Sequence, residues 1–430
     1  MPPRWLLLVL VCVVLFVRGR AMGVLPHSTN SDPDGYLELA QNLIHHGTFG
    51  YDYSGVAAAP TAYRPPLYSL LLPICHVLPG GVYDFGLLHV VLGVVTVWAT
   101  WRLGLQWGLP PRGALLAAAL VMVDPILINQ SAQAMTETLA TCLAALTLLS
   151  LSRAIERGSF RGAALAGALM GLCVLCRPTF LIWLAGVVVV LPFYVSFAWR
   201  RALLWIGTLA AAAALVLAPW AVRNVREFGV PIITTTHGGY TFLLANNPEF
   251  YEYLRSGEWG SVWNADPFNE TWKADAATHV RSTFYGNFTD EVGNDARAYQ
   301  QAFQNIRDEP AMFAYSCLVR VGRLWAVLPH QLSTAESPSR RAMRYAVAIW
   351  YVFELLLAAI GLWILRKQLL AKPWIWGMLL LVSFTAVHAL YWTDLRMRAP
   401  LTSVIALLAA QAVVVLAQPV RRAIAVTASA

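Results

Sequence analysis

Charged residues are scarce in this sequence. They make up 13% of its 430 residues, whereas hydrophobic residues make up 58%. Soluble domains usually contain about a quarter of charged residues. The shortage excludes a chain built only of soluble domains, and it indicates that lipid surrounds most of the protein.

Several chemical signatures are also missing. The sequence has no glycine-rich phosphate-binding loop, no internal repeat and no histidine-rich cluster. Its six cysteines lie mostly in or beside apolar runs, where thiols behave as small hydrophobic groups. Cys173 and Cys176 form a C-x-x-C without a second pair, so we interpret them as packing residues. The net charge is +8, and most of the arginines lie in short gaps between apolar runs. This position favours membrane lipids over nucleic acid as the partner of the basic residues.

Ten segments are apolar enough to cross the roughly 30 Å hydrocarbon core of a bilayer. They are 5–25, 84–101, 113–130, 136–152, 161–176, 179–198, 203–222, 342–365, 373–391 and 399–417. Every loop on one side of this arrangement is basic, and basic loops stay in the cytoplasm. We therefore predict an all-α polytopic protein of the bacterial inner (plasma) membrane, with both termini inside.

The remaining loops then lie on the external, periplasmic side. The first loop, 26–83, contains apolar residues at helical spacing over 35–46, which predict a helix lying in the membrane interface. The run 67–78 is too short to cross, so we predict a second interfacial or re-entrant element there.

The stretch 223–341 is the only part with the polarity of a soluble protein. We expect short helices and loops in it, including a helix over 296–307 that ends before Pro310. The chain therefore divides into an N-terminal membrane module (1–222), this external region, and C-terminal membrane helices (342–430).

Charged residues at external helix ends form a candidate site. They include the acids Asp32, Asp34 and Glu137, and the bases Arg64, Arg177, Arg223, Arg396 and Arg398. Each has a simpler interpretation: Glu137 can cap a helix, Arg177 can satisfy carbonyl groups, and Arg396 can form a surface pair with Asp394. Arg18 and Arg20, late in the first segment, can reach the interface as snorkelling side chains.

Together, these charges suit glycosyl transfer from a lipid phosphate. A carboxylate can take the proton of the attacking hydroxyl, and arginines can stabilise the charge that develops on the departing phosphate.

Several stretches carry a family likeness from the first helix to the last. The first loop has Asp32-Pro33-Asp34-Gly35-Tyr36 and Tyr63-Arg64-Pro65-Pro66; the later motifs are Thr136-Glu137-Thr138, Ala218-Pro219-Trp220 followed by Arg223-Asn224, and Asp394-Leu395-Arg396-Met397-Arg398. With them the chain resembles the GT-C superfamily, specifically the bacterial membrane proteins similar to glycosyltransferase family 39. Protein O-mannosyltransferases and the aminoarabinose transferase of lipid A are relatives.

The resemblance implies a GT-C fold and an inverting transferase that uses a polyprenyl-phosphate sugar on the external face. It matches Asp32 to the family's catalytic acid and Glu137 to the acid of the second loop. The family often has Asp-Glu in the first motif, whereas here Pro33 follows Asp32 and the second acid is Asp34, so either aspartate can be the catalytic one. The five arginines, with Tyr63 and Asn224, are the expected ligands of the donor.

The resemblance leaves the acceptor open among a lipid, a glycan and a protein. Metal use differs among GT-C enzymes, and we predict that no metal or other cofactor is required here. A transporter or flippase of lipid-linked sugars and a non-catalytic envelope scaffold are the alternative functions. The clustering of charge at one surface, without repeats, favours the enzyme.

Overall fold

A computed structural model describes residues 12–19, 32, 34–53, 56–76, 85–195, 198–257, 263–283, 286–330 and 336–427. The helices in these ranges are α1 (12–19), α2 (Tyr36–His46), α3 (Pro66–His76), α4 (Phe85–Gln106), α5 (Pro111–Met122), α6 (Pro125–Ser131), α7 (Glu137–Arg157), α8 (Phe160–Cys176), α9 (Phe180–Val190), α10 (Trp199–Phe228), α11 (Gly238–Ala245), α12 (Pro248–Ser256), α13 (Asp266–Thr278), α14 (Glu291–Asp308), α15 (Pro310–Leu324), α16 (Pro338–Leu365), α17 (Trp374–Leu390) and α18 (Thr402–Thr427). The strands are β1 (Gly50–Tyr53), β2 (Val56–Pro60), β3 (Val280–Thr283) and β4 (Gly286–Thr289), and two 3₁₀ segments cover Leu191–Phe193 and Leu395–Leu401.

Five helical stretches in the described ranges are at least 18 residues long and apolar enough to span a bilayer. They are α4, α7, α10, α16 and Leu395–Ala417; α5 and α6, bent by 48°, qualify as a sixth span if the pair is counted together. The predicted segments 161–176, 179–198 and 373–391 coincide with the shorter apolar helices α8, α9 and α17. The predicted first segment lies partly outside the described residues. An all-α, polytopic membrane architecture is confirmed.

Helix α7 lies at the centre of the membrane bundle. Its apolar window is 83% buried, whereas that of α16 is only 22% buried. Small residues allow the surrounding helices to approach closely: a Cβ atom at Gly167 of α8 would collide with the backbone oxygen of Leu209 in α10. Most residues of α7 from Glu137 to Ile155 are buried.

Helix α1 contributes a charge to this interior. Arg18 is buried and its Nη1 donates to Oγ of Ser131 at 2.6 Å. Gly93 of α4 makes room for it, because a Cβ atom there would lie 2.6 Å from the guanidinium carbon. Arg18 thus points into the bundle rather than snorkelling to the interface, and Arg20 lies outside the described residues.

The first loop contains a helix at each of the two elements predicted there. The helix predicted over 35–46 is confirmed as α2. The run 67–78, predicted as an interfacial or re-entrant element, coincides over its described residues with the helix α3. Between them lies an antiparallel hairpin, β1–β2, which the sequence analysis missed. Its register pairs Gly50 with Pro60 and Tyr51 with Ala59.

The region 223–341 is assembled from α11 to α15 and a second hairpin, β3–β4. The helix predicted over 296–307 is confirmed as part of α14, and Pro310 begins the next helix. Helix α10 continues to Phe228, beyond the predicted segment 203–222. Arg223 and Asn224 therefore lie on a helix that rises out of the membrane bundle, not in the loop that follows it.

Candidate active site

Asp32 fixes the start of α2. One carboxylate oxygen accepts a hydrogen bond from the backbone N–H of Tyr36 at 2.8 Å, and the other accepts from Leu37 at 2.8 Å and Glu38 at 3.1 Å. These N–H groups have no partner inside the helix, so the carboxylate caps it. Burial raises the pKa of Asp32 above its ordinary value and Asp34 adds to the rise, against the three backbone hydrogen bonds, which lower it.

Asp34 forms an ion pair with Arg64. Oδ1 of Asp34 lies 2.9 Å from Nη2 of Arg64, and the backbone oxygen of Asp34 accepts from Nε at 2.9 Å. The guanidinium carbon lies 5.8 Å from the ring centre of Tyr36 and 5.3 Å from that of Tyr63. Two aromatic faces and a two-point contact with Asp34 therefore hold Arg64 in one orientation.

Glu137 begins α7 and is fully buried between two arginines. Its Oε1 lies 3.5 Å from Nη2 of Arg177 and 3.7 Å from Nη1 of Arg396. Arg177 is 14% exposed and Arg396 is 31% exposed, so both guanidinium groups reach the surface of the site. Asp394 holds Arg396 through its Nε at 3.1 Å and its backbone N–H at 2.9 Å.

This charge cluster has unused hydrogen-bonding capacity. Within the described residues, both carboxylate oxygens of Glu137 lack a hydrogen-bond partner. The buried Nη1 of Arg177 also lacks one. Buried polar groups in proteins are normally satisfied. An anionic ligand with several acceptor oxygens would supply what Arg177 lacks.

Tyr36 lies near both the Asp34–Arg64 pair and the Glu137–Arg177 pair. The residue is buried on α2, and its ring packs edge-to-face on Tyr68 with centroids 5.4 Å apart. Burial raises the pKa of Tyr36, and its hydroxyl also experiences the charges of Arg64, Asp34, Arg177 and Glu137. Charged residues of the first loop, of α7 and of the end of α8 therefore lie close enough to influence one phenol.

Arg223 and Asn224 have a different environment. Arg223 donates through Nη1 to the backbone oxygen of Thr61 at 2.8 Å and through Nη2 to that of Phe49 at 2.9 Å. Its Nη1 also donates to Oδ1 of Asn224 at 2.9 Å, and Nδ2 of Asn224 donates to the backbone oxygen of Ile232 at 2.8 Å. Arg223 ties the two ends of the hairpin β1–β2 to α10, and Asn224 connects Arg223 to the segment that follows the helix.

Arg398 turns away from Arg396 and into the protein. It is 1% exposed, and its Nη1 donates to the backbone oxygens of Leu324 and Ala326. Its guanidinium carbon lies 4.1 Å from the ring centre of Tyr351. The structure thus groups Arg64, Arg177 and Arg396 with the three acids, and gives Arg398 a contact with α15 and α16.

Glu291, which the sequence analysis did not assign to the site, reaches the first loop from α14. It accepts from Oγ1 of Thr61 at 2.6 Å and from the backbone N–H of Ala62 at 2.7 Å. Burial raises its pKa, against the lowering by these hydrogen bonds and by Arg223. The only sequence signal was its position in the acidic pair Asp290-Glu291, which carries no information about a contact with Thr61.

His237 is a second residue that the sequence analysis missed. Its ring lies 4.2 Å from that of Tyr63 and 5.2 Å from that of Tyr240, measured between centroids. Burial lowers the pKa of His237 well below its ordinary value, and the positive charge of Arg64 lowers it further. A neutral imidazole therefore supports the ring that stacks on Arg64.

Among the residues that the structure describes, no three His, Cys, Asp or Glu side chains are grouped closely enough to hold a metal ion. What the cluster offers instead is a set of carboxylates beside partly exposed arginines. That combination can accept a proton and stabilise an anionic leaving group.

Residues 63–222 match the family model described as dolichyl-phosphate-mannose-protein mannosyltransferase. The oligosaccharyltransferase of Archaeoglobus fulgidus, solved with a tethered acceptor peptide containing the NVT sequon, aligns over 97% of this chain with a TM-score of 0.54 and 14% identity. The chain resembles the GT-C membrane glycosyltransferases. This confirms the likeness and the fold class expected from the sequence.

Other comparisons are weaker. ArnT from Cupriavidus metallidurans, solved bound to undecaprenyl phosphate, aligns over 96% of this chain and 78% of its own, with a TM-score of 0.41 and 16% identity. The apo structure of the same ArnT aligns over 95% of this chain and 77% of its own, with the same TM-score and identity. No curated protein sequence matches the chain. The chain spans half (50%) of the length of the archaeal oligosaccharyltransferase, and at 14% identity that likeness establishes the fold alone.

Proposed function

We propose that this protein is an inverting glycosyltransferase that moves a sugar from a polyprenyl-phosphate donor to an acceptor hydroxyl at the external face of the bacterial plasma membrane. The acceptor is a lipid, a glycan or a protein side chain. The family described as dolichyl-phosphate-mannose-protein mannosyltransferase, which matches residues 63–222, supports a donor with an isoprenoid phosphate. Basic loops on the opposite side support the external location.

The observation that carries the proposal is the arrangement of Arg177 and Arg396 around Glu137. A departing polyprenyl phosphate gains negative charge when the sugar–phosphate bond breaks. Two partly exposed guanidinium groups, one with a buried Nη1 that lacks an acceptor, can stabilise that charge. Glu137 keeps both arginines in position before the donor binds, and Arg64 is the third candidate for the phosphate.

Asp32 is the proposed base. Burial raises its pKa, and a base works best when its pKa approaches the working pH. Asp34 is already committed to Arg64, so we assign it the role of holding that arginine. Arg223 and Asn224, whose donors bind backbone oxygens, are assigned to positioning the hairpin that leads to Tyr63 and Arg64.

The reaction is a single displacement. The acceptor oxygen attacks the anomeric carbon while the bond from that carbon to the phosphate oxygen breaks. The hydroxyl proton passes to Asp32, and the electron pair of the broken bond leaves with the polyprenyl phosphate. One displacement at the anomeric carbon inverts its configuration.

The direct test uses purified protein, a polyprenyl-phosphate sugar labelled in the sugar, and a membrane extract as the source of acceptor. We expect label on a new product together with free polyprenyl phosphate in equal amount. Donor that crosses a vesicle membrane without cleavage would instead establish a transporter. If neither product nor transport is detected with donors of several sugars and chain lengths, while the protein stays folded, the enzymatic proposal is wrong.

A further inference from the structure

A second polar site lies at the end of α7 that is remote from Glu137. A cavity of about 420 Å³ opens there between the end of α4, the start of α5 and the last turns of α7. It is lined by Trp101, Arg102, Leu105, Gln106, Pro111, Arg153, Glu156 and Arg157. Since α7 has 21 residues, its two ends are separated by about 30 Å, the thickness of the hydrocarbon core.

The cavity is strongly basic. Three arginines line it, and Glu156 is the only acid among the lining residues. Glu156 accepts a hydrogen bond from Nε2 of Gln106 at 3.1 Å. Within the described part of the chain, Arg102, Arg153 and Arg157 make no ion pair or side-chain hydrogen bond. The guanidinium group of Arg102 lies over the ring of Trp101, with its carbon 5.7 Å from the ring centre.

A buried donor also lacks a partner in this cavity. Trp101 is 5% exposed, and its indole Nε1–H finds no acceptor among the described residues. An indole N–H can only donate, and a buried indole normally has a partner. The lining also contains one acceptor without a partner, Oε1 of Gln106. Three arginines and the orphaned N–H offer more donors than this oxygen can satisfy, so the ligand that fits them is an anion with several oxygens.

We propose that this cavity binds the headgroup of an anionic phospholipid in the leaflet opposite the candidate active site. The phosphate diester accepts from Nε1 of Trp101 and lies among Arg102, Arg153 and Arg157. A lipid suits the cavity better than a soluble phosphate compound, because the cavity lies where membrane helices end, and Leu105 and Pro111 add apolar walls for the first part of the chains.

The test is native mass spectrometry of the purified full-length protein titrated with dioleoyl phosphatidylglycerol, compared with dioleoyl phosphatidylcholine. Trp101→Phe keeps the ring but removes the donor, and we expect it to weaken retention of the anionic lipid about tenfold. The triple variant Arg102→Gln, Arg153→Gln, Arg157→Gln should lose the bound lipid. The matched control is Arg161→Gln, Arg366→Gln, Lys367→Gln, which removes the same charge from exposed positions outside the cavity.

Each outcome decides the proposal. One anionic lipid retained by the wild type and by the control triple, but not by the cavity triple, supports it. Equal loss in both triples shows that only overall charge matters and overturns it. Displacement of the lipid by millimolar inorganic phosphate indicates a site for soluble phosphate compounds and also overturns it. If the cavity triple does not fold, Trp101→Phe alone decides, and unchanged retention in that variant refutes the site.

Discussion

The Nη2 atom of Arg177 lies 3.5 Å from Oε1 of Glu137, where the end of α8 meets the start of α7. Consecutive antiparallel helices bring together these two residues, which are 40 positions apart. Arg396 approaches the same oxygen from the other end of the chain, at 3.7 Å. One buried carboxylate thus organises two arginines from separate membrane elements.

Replacing Glu137 with Gln should disable the site, although the two side chains have nearly the same size. The amide cannot neutralise Arg177 and Arg396, so their guanidinium groups repel each other and leave the positions that the phosphate requires. We expect transfer to fall on the order of 100-fold. The measurement is the rate of labelled product formation at saturating donor.

The control for this variant is Glu249→Gln, which removes an exposed carboxylate from α12. It should retain the wild-type rate. Breaking a buried ion pair also costs about 3–5 kcal/mol of stability, so thermal unfolding must be followed in parallel. Full transfer by a folded Glu137→Gln protein would exclude Glu137 from the site.

The pair Asp34 and Arg64 should act as one unit. Asp34→Asn removes the charge that orients Arg64, and Arg64→Gln removes the arginine itself. Because the two side chains contact each other at 2.9 Å, the double variant should lose little more activity than Arg64→Gln alone. A double-mutant cycle on the ratio of kcat to KM measures the coupling, which we expect to exceed about 1 kcal/mol. Additive losses would mean that the two residues act independently.

Arg223 and Arg177 should respond differently to replacement by lysine. Lysine cannot reproduce the three hydrogen bonds of Arg223, so Arg223→Lys should lower the free energy of unfolding by about 2 kcal/mol with little effect on the KM for the donor. Arg177→Lys should raise that KM about tenfold with a smaller effect on stability. The reverse pattern would return Arg223 to the phosphate site and remove Arg177 from it.

His237 should make stability depend on pH. Burial and Arg64 lower its pKa, so the folded protein keeps the imidazole neutral while the unfolded chain takes up a proton below pH of about 6.5. Protonation then favours unfolding, and stability should fall by about 1.4 kcal/mol for each pH unit below that value, until the pH reaches the folded-state pKa.

The measurement is thermal unfolding of the wild type and His237→Gln between pH 8 and pH 5. Glu291 has a raised pKa and acts in the opposite direction, but it contributes equally to both proteins, so the difference between them isolates His237. Parallel curves for the two proteins would show that His237 is not held neutral in the folded state.

Local sequence patterns predicted the helices well because an α-helix satisfies its backbone hydrogen bonds within one continuous segment. The apolar spacing around Tyr36 and the position of Pro310 therefore located α2 and the end of α14 correctly. The alternation of basic loops also predicted that Glu137, Arg177 and Arg396 would share one face, and the structure brings these three together.

Long-range contacts were beyond such patterns. The hairpin β1–β2 depends on pairing between two short strands and on Arg223, which donates to the backbone oxygens of Thr61 and Phe49. Arg223 looked like a free phosphate ligand because α10 was expected to end before it. The contact of Glu291 with Thr61 joins residues 230 positions apart, and nothing in the residues next to either one encodes it.

The most direct test of the proposed mechanism is the single-turnover release of polyprenyl phosphate by Asp32→Asn. Asparagine keeps one oxygen that can accept from the N–H groups of Leu37 and Glu38, but its NH2 group cannot accept from Tyr36 and cannot take a proton. We predict a rate lower by a factor on the order of 100 or more, a protein that stays folded with a slightly lower unfolding temperature because one capping hydrogen bond is lost, and normal turnover by the exposed control Asp52→Asn. A rate for Asp32→Asn within about twofold of the wild type would show that Asp32 only caps the helix, and it would contradict the assignment of Asp32 as the base.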